Sequence, residues 1–226
     1  MISPESDRAR AAILARIRDR QRRGAASRPS QAELEAIETY ISRHPAGPLP
    51  EIDDGVVARF RSRAESMQST TDRVATFADV PAAVAKYLNA NRRPLAGCMW
   101  PRLAALDWAG AGLALEPRAA SDRDAVGVTG TFAALAETGT LMLVSGPDTP
   151  ATVSLLPETH VAIVPAGRIV KRMEDGWALA RAELGELPRA VNFVSGPSRT
   201  ADIDQTLVLG AHGPYRLHMV IVADGT

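Results

Sequence analysis

The residues able to do chemistry in this 226-residue chain gather in two stretches. The tripeptide Ser-Gly-Pro occurs twice, as Ser145-Gly146-Pro147 after TLMLV and as Ser195-Gly196-Pro197 after AVNFV. Each follows an apolar run that reads as a strand, and in open parallel sheets ligands sit beyond the carboxyl ends of strands. The two loops are therefore expected on one functional edge, glycine letting backbone amides approach a ligand and proline fixing the exit. The second copy continues as Ser198-Arg199-Thr200-Ala201-Asp202 into an expected helix start. Hydroxyls, a guanidinium and free helix N–H groups there suit a carboxylate or phosphate. Capping by Ser198 or Thr200, with Asp202 and Asp204 on the helix dipole, explains the same residues without a ligand.

The second stretch holds Gly130-Thr131 and Ala136-Glu137-Thr138-Gly139-Thr140. A carboxylate between a helix end and a strand, amid alanines, is a candidate acid or base, which makes Glu137 the catalytic candidate, with Thr138 and Gly139 beside it. An exposed turn acid is the alternative. Arg168, after Val164-Pro165, is a candidate anion clamp or a surface turn residue. His212, in Gly210-Ala211-His212-Gly213-Pro214, stands in a loop expected either to close over a site or to make a tight turn. His160 opens a strand and reads as an edge residue with a satisfied hydrogen bond.

These residues need a scaffold, and its texture changes along the chain. Ser3-Pro4 with Glu5 and Asp7 starts a helix whose narrow stripe is Ile13, Leu14 and Ile17 and whose stop is Gly24. Its basic face suits an acidic partner or lipid headgroups, or is simply solvated. A second helix is expected over 32–42, followed by the breaker-rich HPAGPLPEIDDG. Helical periodicity covers 56–68 and 80–89. From Pro94 onward, β-rich runs at 95–99, 112–116, 125–128, 140–145, 160–164, 190–195 and 216–222 alternate with helical patterns at 101–108, 131–137, 149–156, 171–184 and 199–207. Such alternation implies an α/β fold: three layers, a largely parallel sheet and helices on both faces. The expected organisation is an N-terminal helical extension with linker over 1–55 and the α/β domain over 56–226.

Composition excludes several classes. Basic and acidic residues balance at 26 each, so no overall field draws the chain to nucleic acid or membrane. Cys98 is the only cysteine, which leaves no internal disulfide and no iron–sulfur cluster held by this chain's own thiolates. The four histidines lack metal-ligand spacing, and no metal site is expected. No apolar run reaches the roughly 20 residues of a membrane span, and no signal-peptide core opens the chain, so the cytoplasm is expected. GxGxxG after a strand, GxxxxGK[ST] and GxSxG are absent, which disfavours a nicotinamide dehydrogenase, a P-loop enzyme and a serine hydrolase.

The run GVTGTFAALAETGTLMLVSGPDTPATVSLLPETHVAIVPAGRIV (127–170), with VNFVSGPSRTADIDQTLVLGAHGP (191–214), closely resembles the LUD domain of lactate-utilisation proteins. A short chain without cysteine clusters resembles the C type of that family. The resemblance spans most of 57–223 and leaves the first 55 residues outside it. It implies a fold similar to the sugar-phosphate isomerases and CoA transferases, with ligands at strand ends. It also implies a non-iron–sulfur part in L-lactate oxidation to pyruvate, alongside partners of the A and B types that carry the clusters. A small carboxylate or nucleotide-like ligand near Glu137, Thr138, Gly139, Ser145, Gly146, Arg168, Ser195, Gly196, Ser198, Arg199, Thr200 and His212 is the expectation. A homo-oligomer stays open. So do two other readings: a stand-alone isomerase or acyl-transfer enzyme using Glu137, faintly similar to the Glu-Asn-Gly nucleophile of CoA transferases, and a purely structural or regulatory subunit.

Overall fold

The computed structural model describes residues 4–20, 29–53, 55–200, 208–210 and 212–223. They divide into two compact units, Met1–Leu49 and Pro50–Thr226. The first unit holds helices α1 (Pro4–Arg20) and α2 (Gln31–Arg43), the latter started by a Ser30/Glu33 capping box.

The second unit is α/β. It contains helices α3 (Val56–Ser66), α4 (Val80–Ala90), α5 (Thr152–Leu155) and α6 (Met173–Leu184). Its strands are β1 (Thr70–Val74), β2 (Ala96–Met99), β3 (Ala114–Pro117), β4 (Val126–Thr129), β5 (Ala133–Leu135), β6 (Thr140–Val144), β7 (Thr159–Pro165), β8 (Ile169–Val170), β9 (Val191–Val194), β10 (Arg199–Thr200), β11 (Val208–Leu209) and β12 (Arg216–Val222). Six strands form a sheet in the order β1-β12-β7-β4-β2-β3, every pair parallel. β4 and most of β7 and β12 are fully buried, as expected for strands covered on both sides. Tyr87 of α4 stacks on His218 on one face. On the other, Arg61 of α3 reaches the Thr71 hydroxyl, and α5 lies so close to β4 that a Cβ on Gly127 would stand 2.2 Å from the Val153 carbonyl.

A second, four-stranded sheet runs β8-β5-β6-β9, with β5–β6 and β6–β9 antiparallel. Side chains alternate across it. Ala134, Ala136, Leu141 and Leu143 join the main core with Phe60, Ala64, Met219 and Ile221, whereas Ala133 and Met142 pack with Ala180 of α6. The sequence pattern places β6 and β9 in the parallel sheet and makes 131–137 a helix, whereas both strands belong to the antiparallel ladder and Ala133–Leu135 is β5. Alanine's helix propensity is overridden here by the pairing of Ala133–Leu135 with β6 and β8, which leaves the strand buried throughout. The helix expected over 101–108 is a single 3-10 turn, Pro101–Leu103. That expected over 199–207 begins instead as β10, paired with β11, and 201–207 lies outside the described residues. The edge strand β1 was not anticipated. Among the described residues no helix is long and apolar enough to cross a membrane.

Candidate functional site

The large sheet dictates where a ligand should sit. β2 continues outward to its neighbour β3, whereas β4, beside β2, leads the other way toward β7. Adjacent strands whose connections diverge open a crevice at their carboxyl ends. A cavity of about 430 Å³ occupies that place, lined by Arg102 after β2, Gly130 and Thr131 after β4, and Ile163 and Pro165 of β7. Phe77, Phe132 and Leu184 supply apolar wall, and Val144, Arg168 and Glu183 complete one side. The size matches a small-molecule site.

The cations of this cavity differ. One guanidinium nitrogen of Arg168 donates to both carboxylate oxygens of Glu183 at 2.8 Å, and the group lies 5.7 Å from the centre of the Phe132 ring. Its charge is largely answered within the protein. No carboxylate among the described residues pairs with the exposed Arg102. The Thr131 hydroxyl donates to the Ala133 carbonyl and keeps lone pairs for a ligand donor. An anion held by Arg102, with an apolar body against Phe77, Phe132 and Leu184, is what this arrangement can bind.

The expected site residues separate into three places. Ser145 follows Val144 at the cavity side, where its hydroxyl accepts from the Ala190 amide at 2.9 Å and its own amide donates to the Ala190 carbonyl. Gly146 exchanges backbone hydrogen bonds with Thr149 in a tight turn. The second Ser-Gly-Pro lies at the opposite end. β6 and β9 are antiparallel, with Leu141 opposite Val194 and Val144 opposite Val191, so Ser145 and Ser195 stand roughly 17 Å apart along the strands. The expectation that both loops share one edge is corrected: it required parallel strands.

At that far end the β5–β6 turn, Glu137-Thr138-Gly139, meets Ser195 and Gly196 against the carboxyl end of α3. Glu137 is half-buried, its amide donating to the Lys171 carbonyl, and the Thr138 hydroxyl donates to that of Thr140 at 2.7 Å. Gly139 (φ 70°) and Gly196 (φ 81°) approach α3 so closely that a Cβ would lie 2.3 Å from the Ala64 nitrogen and the Met67 carbonyl oxygen respectively. Arg199 donates to the same Met67 carbonyl at 2.8 Å, a cation on the negative end of a helix dipole. Ser198 exchanges backbone bonds with Pro214 and Gly210, and the side chain of Thr200 lies outside the described residues. His212 is exposed and precedes β12, hence sits at the amino edge of the large sheet, away from the cavity.

His160 is no edge residue. It is fully buried on central β7, shares a 2.7 Å hydrogen bond through Nε2 with the Thr129 hydroxyl, and leaves Nδ1 without a partner among the described residues. Burial pushes its pKa down to about 3, and that of His218 to about 4. Cys98 is buried mid-sheet, its thiol pushed up to about 11 by burial and by Asp124. Arg102, Phe77 and Glu183 escaped the sequence reading. Only Arg102 carried a usable signal, its place at the carboxyl end of an expected strand.

A family model for the LUD domain matches residues 102–222, more than half of the chain. Among curated relatives, a lactate utilization protein C from Bacillus licheniformis is 42% identical over 102 residues, covering 44% of this chain and 42% of that one. One from Bacillus mycoides is 46% identical over 102 residues, 44% of each. One from Exiguobacterium is 39% identical over 121 residues, 52% of this chain and 53% of its own. The match thus spans about half the length of these relatives. A crystal structure of a DUF162 family protein from Deinococcus radiodurans superposes with a TM-score of 0.57 at 25% identity, over 77% of this chain and all of that one.

Proposed function

Because the chain belongs to the LUD-domain family, we propose that it is the component without an iron–sulfur cluster in an L-lactate utilisation system, and that it binds a small carboxylate in the cavity between the ends of β2 and β4. The observation that carries the ligand is Arg102, a cation without a carboxylate partner among the described residues, at the one crevice the strand order creates. The role in lactate use rests on the names of the relatives. The electrons pass through cytoplasmic iron–sulfur partners of the A and B types, while this chain holds the carboxylate end of substrate or product. Glu137, about five residues along the hairpin from Phe132 and so roughly 17 Å away, takes no part in that site.

Thermal unfolding of the purified chain with L-lactate, pyruvate, a nucleoside monophosphate or inorganic phosphate tests the ligand. A native-state ligand at about 100 times its Kd adds ~2.7 kcal/mol, which raises the Tm by roughly 5–10 °C for a chain of this size. The expected result is that rise with a carboxylate and its loss in Arg102→Ala. A shift with the nucleotide alone, or one untouched by Arg102→Ala, overturns the assignment. Growth on L-lactate of cells lacking this chain, restored by the wild type but not by Arg102→Ala, tests the system. Unimpaired growth without the chain overturns that part.

A further inference from the structure

The unit Met1–Leu49 presents two helices whose apolar sides its own described residues leave uncovered. Ile13 and Ile17 of α1 and Leu34, Ile37, Tyr40 and Ile41 of α2 are between 42% and 68% exposed, and α2 buries no residue at all. At 100° per residue, Ile13 and Ile17 mark one line along α1 and Leu34, Ile37 and Ile41 one line along α2. The charges beside the two lines have opposite sign. Arg10, Arg16 and Arg20 fall within about 80° of the first line, while Asp7 and Asp19 lie farther round. Arg16 and Arg20 border a shallow concavity floored by Ile13 and Ile17. Glu38 falls within about 80° of the second line, Glu33 on its other side is engaged in the Ser30 capping box, and Arg43 lies near the back of the helix.

From this complementarity we infer that the occupant of these faces is a second copy of the chain. The basic-flanked stripe of α1 docks on the acidic-flanked stripe of α2 of the other copy, and two-fold symmetry repeats the contact. Such reciprocity is what a closed, isologous dimer requires. The pairing is between copies because, within the unit itself, both stripes remain about half exposed. Two contacts between helices about 20 Å long bury on the order of 1,000 Å² in total, at the lower limit for a specific interface. The dimer is therefore concentration-dependent, and salt loosens it by screening the arginine–glutamate pairs.

Sedimentation of the full chain over a concentration series from about 1 to 200 µM is the test. The expected weight-average mass rises from 24.0 kDa toward twice that value, and the rise shrinks in high salt. Ile37→Asp, at an exposed position, weakens association at least tenfold. Arg16→Glu weakens it several-fold, and adding Glu38→Arg in the same chain restores it, a rescue that a folding defect would not give. A mass of 24.0 kDa at every concentration overturns the inference, whether the faces then meet within one chain or await a different protein. So does a doubling of mass that Ile37→Asp and Arg16→Glu leave unchanged.

Discussion

The two Ser-Gly-Pro segments sit at opposite ends of one antiparallel strand pair and do different things there. At the cavity end, Ser145 ties β6 to Ala190 and Gly146 makes a tight turn in which an added Cβ would meet only the Thr149 hydroxyl, at 3.1 Å. At the α3 end, Gly196 is held at a left-handed φ against the Met67 carbonyl, and Arg199 binds the same oxygen. One end borders space that a ligand can fill; the other is closed by the end of a helix. Identical tripeptides acquire different duties from the direction of the strand that carries them.

Acid produces the largest expected effect, because it attacks the large sheet on which both ends rest. His160 and His218 titrate in the folded protein near 3 and 4, below the ordinary value of about 6.5. Between those limits the unfolded chain takes up protons that the folded chain refuses. Stability is thus full above about pH 6.5 and falls as pH drops, by ~1.4 kcal/mol per pH unit for each histidine. Urea unfolding from pH 7 to 4 should show this slope, halved in His218→Phe. Stability that is flat across the range would contradict it. Hydrogen exchange should rise together at both ends of β6–β9.

Glycine substitution separates the two ends. Gly196→Ala is expected to lose about 2–4 kcal/mol, from the left-handed backbone and the approach to Met67, whereas Gly146→Ala stays within ~1 kcal/mol. Equal losses in a urea titration would erase the distinction. The arginines divide the same way. Arg199→Ala costs about 1 kcal/mol of stability and leaves carboxylate binding intact. Arg102→Ala leaves stability within ~0.5 kcal/mol and removes the ligand-induced rise in Tm. Ser145→Ala, losing the hydrogen bond from the Ala190 amide to its hydroxyl, costs about 1 kcal/mol or less. Retained carboxylate binding in that variant places the serine in the frame of the cavity, and a lost Tm shift places it in the site.

The α/β class and most strands of the large sheet were legible, because buried parallel strands are near-continuous apolar runs such as HVAIV and HMVIV. β1 was not: TTDRV is an edge strand with polar and charged residues, and only its pairing with β12 makes it extended. β5 reads as a helix because Ala133–Ala136 follow helix propensity, while pairing with β6 and β8 decides the conformation of Ala133–Leu135. The site was half legible. Strand ends point to the edge where the cavity lies, and Gly130, Thr131 and Arg168 line it. Strand direction, which distributes Ser195, Gly196 and Glu137 elsewhere, has no local signature. Arg102 stands at the carboxyl end of an expected strand, and only the strand order turns that place into a crevice.

The strand order has a consequence for how the molecule is made. β12 is the last strand of the large sheet to leave the ribosome, yet it lies inside the sheet, between β1 and β7. Until it arrives, Thr70–Val74 has no neighbour in the large sheet, and β7 presents a bare apolar edge where Arg216–Val222 will dock. The nascent chain therefore carries an open slot from the making of Pro165 to that of Arg216, with a long loop to close before the slot fills. An exposed edge of that kind recruits other strands. Chains stalled before residue 216 are thus candidates for chaperone capture, and release should follow once Val222 clears the exit tunnel.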